Sequence, residues 1–335
     1  MRVAFIFFLV YFSLLLQGSA QINQSLTQYY NSLHTINPAF IGLNNYSEFR
    51  VGFRQPWSEI SEINNTNFAN FSTTIRKKSP FDYRSQPLRI SNPSALGRVG
   101  TKVFSRKHGI GLHFLQNENG AFKENSVRGV YAYHLPLTKK SYLSFGTSLI
   151  WLQQEIDFSQ LTVRDNDLFF NELVASGDRI NYFKLDAGIL FYHERFYLGF
   201  TLNSAVDEVI SGTDLLSTSS VGDAFTAIIG NKIPLSVNFW LHPTFQFART
   251  SPGNEKWSLD SKLTYKDKFM VGVMYQNTGL YSGLLELRVS DSFSVGYSYD
   301  YSSDELADLS NGFHEISLGV LLSKLHNRSS LIWQY

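Results

Sequence analysis

The sequence is notable first for what it lacks. It contains no cysteine, so an exported form of the chain would gain no stability from disulfides and could carry no lipid on an N-terminal cysteine. Charged residues make up only 17%, below the roughly 25% usual for soluble domains. The 29 basic and 28 acidic residues almost cancel, which excludes a global field that would attract nucleic acid. Beyond the N-terminus no long apolar stretch occurs, which argues against membrane-spanning helices.

The N-terminus has the layout of a secretory signal peptide. Arg2 precedes an apolar run over residues 3–16, and small residues follow up to Ala20. The run is shorter than the roughly 20 residues that a stable spanning helix needs. We therefore predict that residues 1–20 are a signal peptide that is cleaved on export. An uncleaved N-terminal anchor is the alternative.

What the chain has in abundance is aromatic residues, at 15%, and alternation of apolar and polar residues. The alternation is clearest in residues 143–151, 183–191, 196–202 and 293–301. A period of two is the pattern of β-strands with one apolar face, and most predicted strands reach the ~10 residues that a tilted spanning strand requires. We predict an all-β fold, a transmembrane antiparallel β-barrel of about 14 strands over residues 48–322, with short periplasmic turns and longer extracellular loops.

The predicted strands leave two flanking segments and an uneven set of connections. Residues 21–47 are predicted to form an N-terminal periplasmic segment, either an ordered entry or plug strand or a plain leader into the first strand, and residues 323–335 a C-terminal tail. The connections at 155–181 and 204–223 are long where extracellular loops belong, but 77–107 is long where a periplasmic turn is expected. Either 77–107 is an insertion or the second strand is misplaced. A soluble β-sheet with one solvated face is the alternative to the barrel.

Charged residues occur on strand faces opposite the apolar ones. Arg50 and Arg54 share one face of the first predicted strand, and Asp300, His314 and Glu315 come from the last two strands. Because a charge on the lipid face costs about 2–4 kcal/mol near the bilayer midplane, we predict that these residues face the lumen. Closure pairs the first and last strands, which would place Arg54 near Asp300 or Glu315. We interpret the group as a structural ion-pair network in a filled interior, and a binding role is the alternative.

No arrangement of residues indicates an enzyme. His314 and Glu315 begin like a zinc-protease motif, but position 318 is Leu and the segment is predicted to be a strand. Ser317 lies three residues from His314, on the opposite face of that strand, so the two cannot form a catalytic pair. No nucleophile elbow or phosphate-binding loop occurs. We predict no enzymatic activity, no cofactor and no bound metal.

Several short motifs follow one another along the chain. They read QYYN at 28–31, INPAFIG at 36–42, RQPWSEI at 54–60, YAYHLPL at 131–137, GYSYDY at 296–301 and GFHEI at 312–316. The ordered set resembles the PorP/SprF family of outer-membrane components associated with the type IX secretion system. Pro56 and Phe313 depart from the residues usual in that family. The candidate family-motif residues are Asn37, Pro38, Gly42, Trp57, Tyr131 and Tyr133.

The resemblance implies a function that composition does not. Family members are needed for particular proteins to be exported through, or retained at, the cell surface, including adhesins used in gliding motility. The implied role is a non-enzymatic barrel in the outer membrane of a Gram-negative bacterium that supports secretion or surface anchoring of cargo with a C-terminal sorting domain. The implied partners are outer-membrane lipid, the cargo and other type IX secretion components, but no nucleic acid. Loops 155–181 and 204–223 are the candidate cargo contacts, and a passive channel for small solutes is the alternative function.

Overall fold

A single antiparallel β-sheet closes on itself to form a barrel. The structure is a computed structural model that describes residues 26–44, 46–56, 65–76, 106–138, 140–160, 174, 177–211, 224–251, 254–303 and 312–322. Within these ranges, strands that follow one another in the sequence are hydrogen-bonded neighbours, and the last strand pairs with the first. No helix in the described ranges has the length and hydropathy needed to cross a bilayer.

The described wall consists of 14 strands, and a two-residue strand, β9, follows β8 and pairs with β10. The strands are β1 (Glu48–Pro56), β2 (Asn65–Arg76), β3 (Lys107–Asn119), β4 (Phe122–Pro136), β5 (Ser141–Ile156), β6 (Arg179–His193), β7 (Phe196–Ser211), β8 (Ala224–Asn231), β9 (Ile233–Pro234), β10 (Phe239–Ser251), β11 (Asn254–Tyr265), β12 (Phe269–Gln276), β13 (Leu280–Arg288), β14 (Phe293–Ser302) and β15 (Phe313–Leu321). We call the end with the β4–β5, β6–β7, β11–β12 and β13–β14 turns the short-turn end. The opposite end, where β5 is joined to β6 and β7 to β8, is the long-loop end.

Side chains along each strand alternate between the outer surface and the lumen. In β7, Leu198 and Phe200 are exposed on the outer face, whereas Tyr197 and Thr201 are buried on the inner face. An apolar outer face suits lipid, and a polar inner face keeps charged groups away from hydrocarbon. The alternation in sequence is therefore the direct cause of the barrel's two surfaces.

The wall is taller on one side than on the other. Strands β3 to β7 have 13 to 16 residues each, whereas β12 to β15 have 8 to 10. Crossing the hydrocarbon takes about 9–11 residues per tilted strand. The surplus lies at the long-loop end, where polar pairs such as Lys123 opposite Glu155 continue the sheet beyond the exposed Trp151. This side of the barrel thus projects as a shelf above the apolar band.

The barrel predicted from the sequence is confirmed, and two of its details are refined. The predicted loop 204–223 is shorter, because β7 continues to Ser211 and only 212–223 lies outside the described residues. The second strand is correctly placed, because Arg76 of β2 pairs directly with Lys107 of β3. The long 77–107 connection is therefore an insertion between two neighbouring strands. Its residues 77–105, like the predicted signal peptide and the C-terminal tail, lie outside the described residues.

The N-terminal segment forms a plug, one of the alternatives predicted for it. Residues 26–44 lie inside the barrel and are largely buried, and not in the periplasm as predicted for 21–47. The physical reason is that the segment combines apolar and small polar residues, which together fill the lumen and bond to its wall. We call residues 26–44 the plug.

Candidate functional site: a plug in the barrel lumen

The plug has a compact backbone with little regular structure. It contains 3₁₀ turns at Tyr29–Thr35 and Pro38–Phe40. Asn37 is extended and caps the second turn, because its side-chain oxygen accepts a hydrogen bond of 2.9 Å from the Ala39 N–H. The following Pro38 occupies the first position of that turn, where its missing N–H costs nothing. Gly42 has a φ of +77°, a conformation that glycine adopts without strain, and it turns the chain toward β1.

Apolar residues of the plug form the main hydrophobic core of the described protein. Tyr29, Ala39, Phe40 and Leu43 are buried together with wall residues, and Phe40 meets the Tyr197 ring edge-to-face at 5.2 Å. The other wall residues of this core are Tyr142, Leu190, Tyr192, Ile228 and Met274. Each fully buried large apolar side chain is worth about 1.5–3 kcal/mol. The plug is thus packed as an interior and not merely placed in a pore.

Glycines on the inner face let the plug backbone approach the wall. A Cβ at Gly109 would overlap the Ile41 carbonyl, and one at Gly146 would overlap the Ala39 backbone. On β6, a Cβ at Gly188 would overlap the Asn37 side chain. Asn37 can therefore donate to two wall carbonyls, Ile189 at 3.1 Å and Phe200 at 3.2 Å. Glycines on β3, β5 and β6 thus form a seat, a part of the wall where the plug backbone fits closely.

The start of the plug is fixed to the strands that close the barrel. The Glu315 carboxylate accepts hydrogen bonds from the Thr27 N–H at 2.9 Å and the Gln28 N–H at 3.2 Å. The Thr27 hydroxyl donates to Asp300 at 2.6 Å, and Arg54 pairs with the same carboxylate at 2.9 Å. These contacts join β14, β15 and β1, and we call Thr27, Gln28, Arg54, Asp300 and Glu315 the seam latch. Hydrogen bonds to charged groups contribute about 1.5–3 kcal/mol each, so the seam latch is a strong attachment.

The end of the plug is fixed at the short-turn end by a second group, the mouth latch, formed by Lys107, His134 and Ser144. Lys107 Nζ donates to the Leu43 carbonyl at 2.6 Å, and Ser144 donates to the Ala39 carbonyl at 2.8 Å. His134 Nε2 lies 2.7 Å from the Ile41 carbonyl, which only accepts, so this nitrogen carries the proton. Its Nδ1 then accepts from the Tyr192 hydroxyl at 3.0 Å. Three backbone carbonyls of the plug are thereby satisfied by wall side chains.

Between the latches, buried charges are neutralised by partners on other strands or two residues away. Arg50 bonds Glu48 at 2.8 Å and Glu286 at 3.2 Å, and Lys262 bonds Asp260 at 2.6 Å. The Tyr29 hydroxyl of the plug also donates to Asp260. Removing one member of a buried pair typically costs 3–5 kcal/mol, because the other charge is left uncompensated. In the described residues no group of three or more His, Asp and Glu side chains is arranged to hold a metal ion.

One plug residue faces a histidine and an arginine of the wall. The His34 ring stands edge-on to His113, with 6.0 Å between ring centroids, and Arg128 donates to the neighbouring Thr35 carbonyl at 3.3 Å. Burial, and then the charges of His113 and Arg128, hold the pKa of His34 well below its usual value. Arg128 is itself paired with Asp186 at 2.7 Å. His34 is therefore neutral at physiological pH.

Most of the predicted luminal residues do meet in the lumen. Arg50, Arg54, Asp300 and Glu315 are all buried on the inner face, and Arg54 stands opposite Glu315 in the β1–β15 register. His314 is the exception, and its predicted place in the lumen is wrong. It points outward, where its Nδ1 lies 2.7 Å from the exposed Tyr297 hydroxyl. Neighbouring strand residues face opposite sides, so His314 cannot share a face with Glu315.

The candidate family-motif residues fall into three groups. Asn37, Pro38 and Gly42 are buried in the plug. Tyr131 and Tyr133 face outward and flank His108, whose Nδ1 lies 2.8 Å from the Tyr131 hydroxyl. Trp57 lies outside the described residues.

The sequence reasoning missed the mouth latch. His134 lies inside the 131–137 motif, but Lys107 and Ser144 do not stand out by type or spacing. The signal available in the sequence was the alternation of strand faces, since it places both His134 and Ser144 on the inward face of β4 and β5. That face alone would not have shown that a plug lies against it.

The fold and this site define a closed membrane β-barrel whose lumen is filled by its own N-terminal segment. The family model "Type IX secretion system membrane protein PorP/SprF" matches residues 18–320, and the chain belongs to this family. The protein is therefore a type IX secretion membrane protein of the outer membrane. No curated protein matches the sequence.

Solved structures with a similar fold are outer-membrane barrels. They include Omp33 of Acinetobacter baumannii (TM-score 0.43, 13% identity, 83% of this chain and 97% of that chain). The CymD monoaromatic hydrocarbon channel (TM-score 0.49, 11% identity) covers 87% of this chain and 93% of its own. The match to the Ralstonia pickettii toluene transporter TbuX (TM-score 0.47, 8% identity) covers 87% of this chain and 92% of the transporter chain. At these identities the similarity concerns the barrel fold alone.

Proposed function

We propose that the protein is a non-enzymatic barrel that supports the secretion or surface anchoring of type IX cargo by docking the cargo's C-terminal sorting domain. The observation that carries the proposal is the filled lumen. Residues 26–44 are packed against the wall and attached at both ends by the seam latch and the mouth latch. A barrel whose interior is occupied offers its rim, and not its pore, to another protein.

The long-loop end is the surface that we propose for docking. Strands β3 to β7 project there as a shelf, and residues 157–178 and 212–223 connect strands at its edge. Strand addition and aromatic contacts are the recognition modes that suit a β-rich sorting domain. Other type IX secretion components are further proposed partners. This end is extracellular in the proposal, the short-turn end is periplasmic, and residues 1–20 are removed on export.

Loop deletion in cells tests the docking role. Residues 161–173 are replaced by a short Gly-Ser linker in one strain and residues 213–222 in another, and surface display of the cognate cargo is measured by protease shaving. We expect display to fall in at least one strain while the heat-modifiable folded barrel stays at wild-type abundance. A matched linker replacing residues 304–310, at the same end but beside the short strands, serves as the control. Normal display in both deletion strains would sink the docking role.

A passive channel for small solutes is the competing function. It requires a conducting lumen, whereas the plug occupies the lumen with buried side chains such as Tyr29 and Phe40. Planar-bilayer recording of the purified protein separates the two functions. We expect no steady conductance from the wild-type protein, and stable open channels would favour the solute channel.

A further inference from the structure

Basic side chains lie along much of the rim at the short-turn end of the barrel. They occur beside β3 and at the turns that follow β4, β6, β8 and β11, and the residues are Arg106, Lys140, Arg195, Lys232, Lys266 and Lys268. The acidic residues at these turns are Glu194 and Asp267, and Asp291 lies in the β13–β14 turn. Cations therefore predominate around this rim, although the whole chain carries a net charge of only +1.

Several of these cations form no ion pair with the described residues. Lys140 pairs with Glu194 at 2.9 Å, which uses the only carboxylate of that neighbourhood in the described ranges. Arg195, Lys266 and Lys268 are exposed, and within the described residues no carboxylate oxygen lies within ion-pair distance of them. Arg195 lies in the β6–β7 turn, and Lys266 and Lys268 flank Asp267 in the β11–β12 turn. These exposed positive charges leave room at each turn for an anion that the described residues do not supply.

The position of the cations relative to aromatic residues identifies that anion. Arg195 adjoins Phe196, and Lys268 adjoins Phe269, each of which is 40% exposed on the outer face. Lys266 Nζ stands 5.2 Å from the ring centroid of Tyr265, which is also exposed. Outward aromatic rings mark the border between hydrocarbon and headgroups in membrane proteins. The cations one residue beyond them therefore lie at the height of the headgroup phosphates.

We infer that Arg195 at the β6–β7 turn, and Lys266 with Lys268 at the β11–β12 turn, form two binding sites for the phosphates of anionic phospholipid in the leaflet at the short-turn end. A lysine or arginine at a membrane surface attracts anionic lipid, and its aliphatic stem packs along the apolar border. The arrangement favours lipid over a protein partner, because each cation stands beside an outward ring and so lies on the perimeter. Arg288, by contrast, follows the inward face of β13 and lines the cleft beside the plug. The inference does not depend on cargo docking.

Lipid association with the purified full-length protein tests these two sites. The protein is reconstituted in phosphatidylcholine, and association of spin-labelled phosphatidylglycerol is compared with that of spin-labelled phosphatidylcholine by electron paramagnetic resonance. The test variant is Arg195→Gln with Lys266→Gln and Lys268→Gln. The matched control is Lys123→Gln with Arg179→Gln and Arg249→Gln, which removes the same charge at the long-loop end.

We expect wild type and control to prefer phosphatidylglycerol, and the preference to fall by up to about fivefold for each charge removed in the test variant. Added salt at about 1 M should reduce the wild-type preference in the same way, because exposed charges are screened. A heat-modifiability gel shift verifies that both triple variants are folded. Equal association of the two lipids with the wild-type protein would overturn the inference. That result is expected if the cations bind a protein partner and not lipid. An equal loss in the control variant would also overturn it.

Discussion

The close fit of the plug to Gly109 gives a sharp test of whether the plug is a fixed part of the molecule. In Gly109→Ala, the added Cβ would overlap the Ile41 carbonyl, and this contact is to backbone that cannot rotate away. Since an unstrained carbon–oxygen contact is about 3.3 Å, the plug must retreat by more than about 1 Å. The matched control is Gly129→Ala on the adjacent strand, where a Cβ on the outer face meets nothing within 4 Å.

The expected cost follows from the hydrogen bonds that this retreat weakens. His134 bonds Ile41 at 2.7 Å, and Lys107 bonds Leu43 at 2.6 Å. A neutral hydrogen bond contributes about 0.5–1.5 kcal/mol and a charged one about 1.5–3 kcal/mol, so the loss is about 2–4 kcal/mol. That range shifts the equilibrium between the seated and the released plug by about 30- to 700-fold.

Hydrogen exchange read by mass spectrometry measures this shift directly. Peptides covering residues 26–44 should exchange faster by that factor in Gly109→Ala, while peptides from the wall strands stay protected. Planar-bilayer recording should show brief openings in the same variant. If Gly109→Ala matches Gly129→Ala in both exchange and conductance, the plug does not depend on its glycine seat and the reasoning fails.

Two further changes probe the latches, and a third probes the buried His34 of the plug. Glu315→Gln places an amide group where two N–H donors converge, and we expect it to weaken retention of the plug by about 2–4 kcal/mol. The loss should appear as faster hydrogen exchange at residues 26–30. The control His314→Gln, whose side chain points outward, should leave this exchange unchanged. Lys107→Met keeps the stem but loses the bond to Leu43, so chymotrypsin should cleave the plug at Phe40 more readily than in wild type. His34 has a lowered pKa and is seated neutral, so its stabilising effect is complete above its unfolded pKa of about 6.5 and declines as the pH falls below it. Protection of the plug amides, measured relative to the intrinsic exchange rate at each pH, should therefore decrease as the pH falls below about 6.5, and His34→Phe should reduce that decrease.

The wall of this barrel could be predicted from sequence because its cause is local. The alternation of apolar and polar residues over 196–202 predicts which side chains face lipid and which face the lumen, and the structure has strand β7 there. The error at His314 was avoidable by the same rule. Ile316 and Leu318 share its parity and are apolar, so that face of β15 is the outer one.

The plug could not be predicted in the same way, because its structure depends on contacts across the lumen. Residues 26–44 have neither a period of two nor a helical period, and their 3₁₀ turns are short. Their burial depends on glycines that lie far away in sequence, such as Gly109, Gly146 and Gly188. The partners of the ion pairs could not be predicted from the sequence for the same reason. Asp186 shares a strand face with Lys184, yet its partner is Arg128, two strands away.

The plug also gives a physical account of why motifs scattered along the chain occur together. The 28–31 motif supplies Gln28, and the 296–301 and 312–316 motifs supply Asp300 and Glu315, all of which belong to the seam latch. The 36–42 motif supplies the carbonyls that the 131–137 motif binds through His134. Asp300 and Glu315 lie on β14 and β15, whereas Arg54 lies on β1, so the seam latch is complete only when the two ends of the sheet have met. Seating of the plug and closure of the barrel are therefore coupled, and a variant that releases the start of the plug should also weaken the β1–β15 pairing.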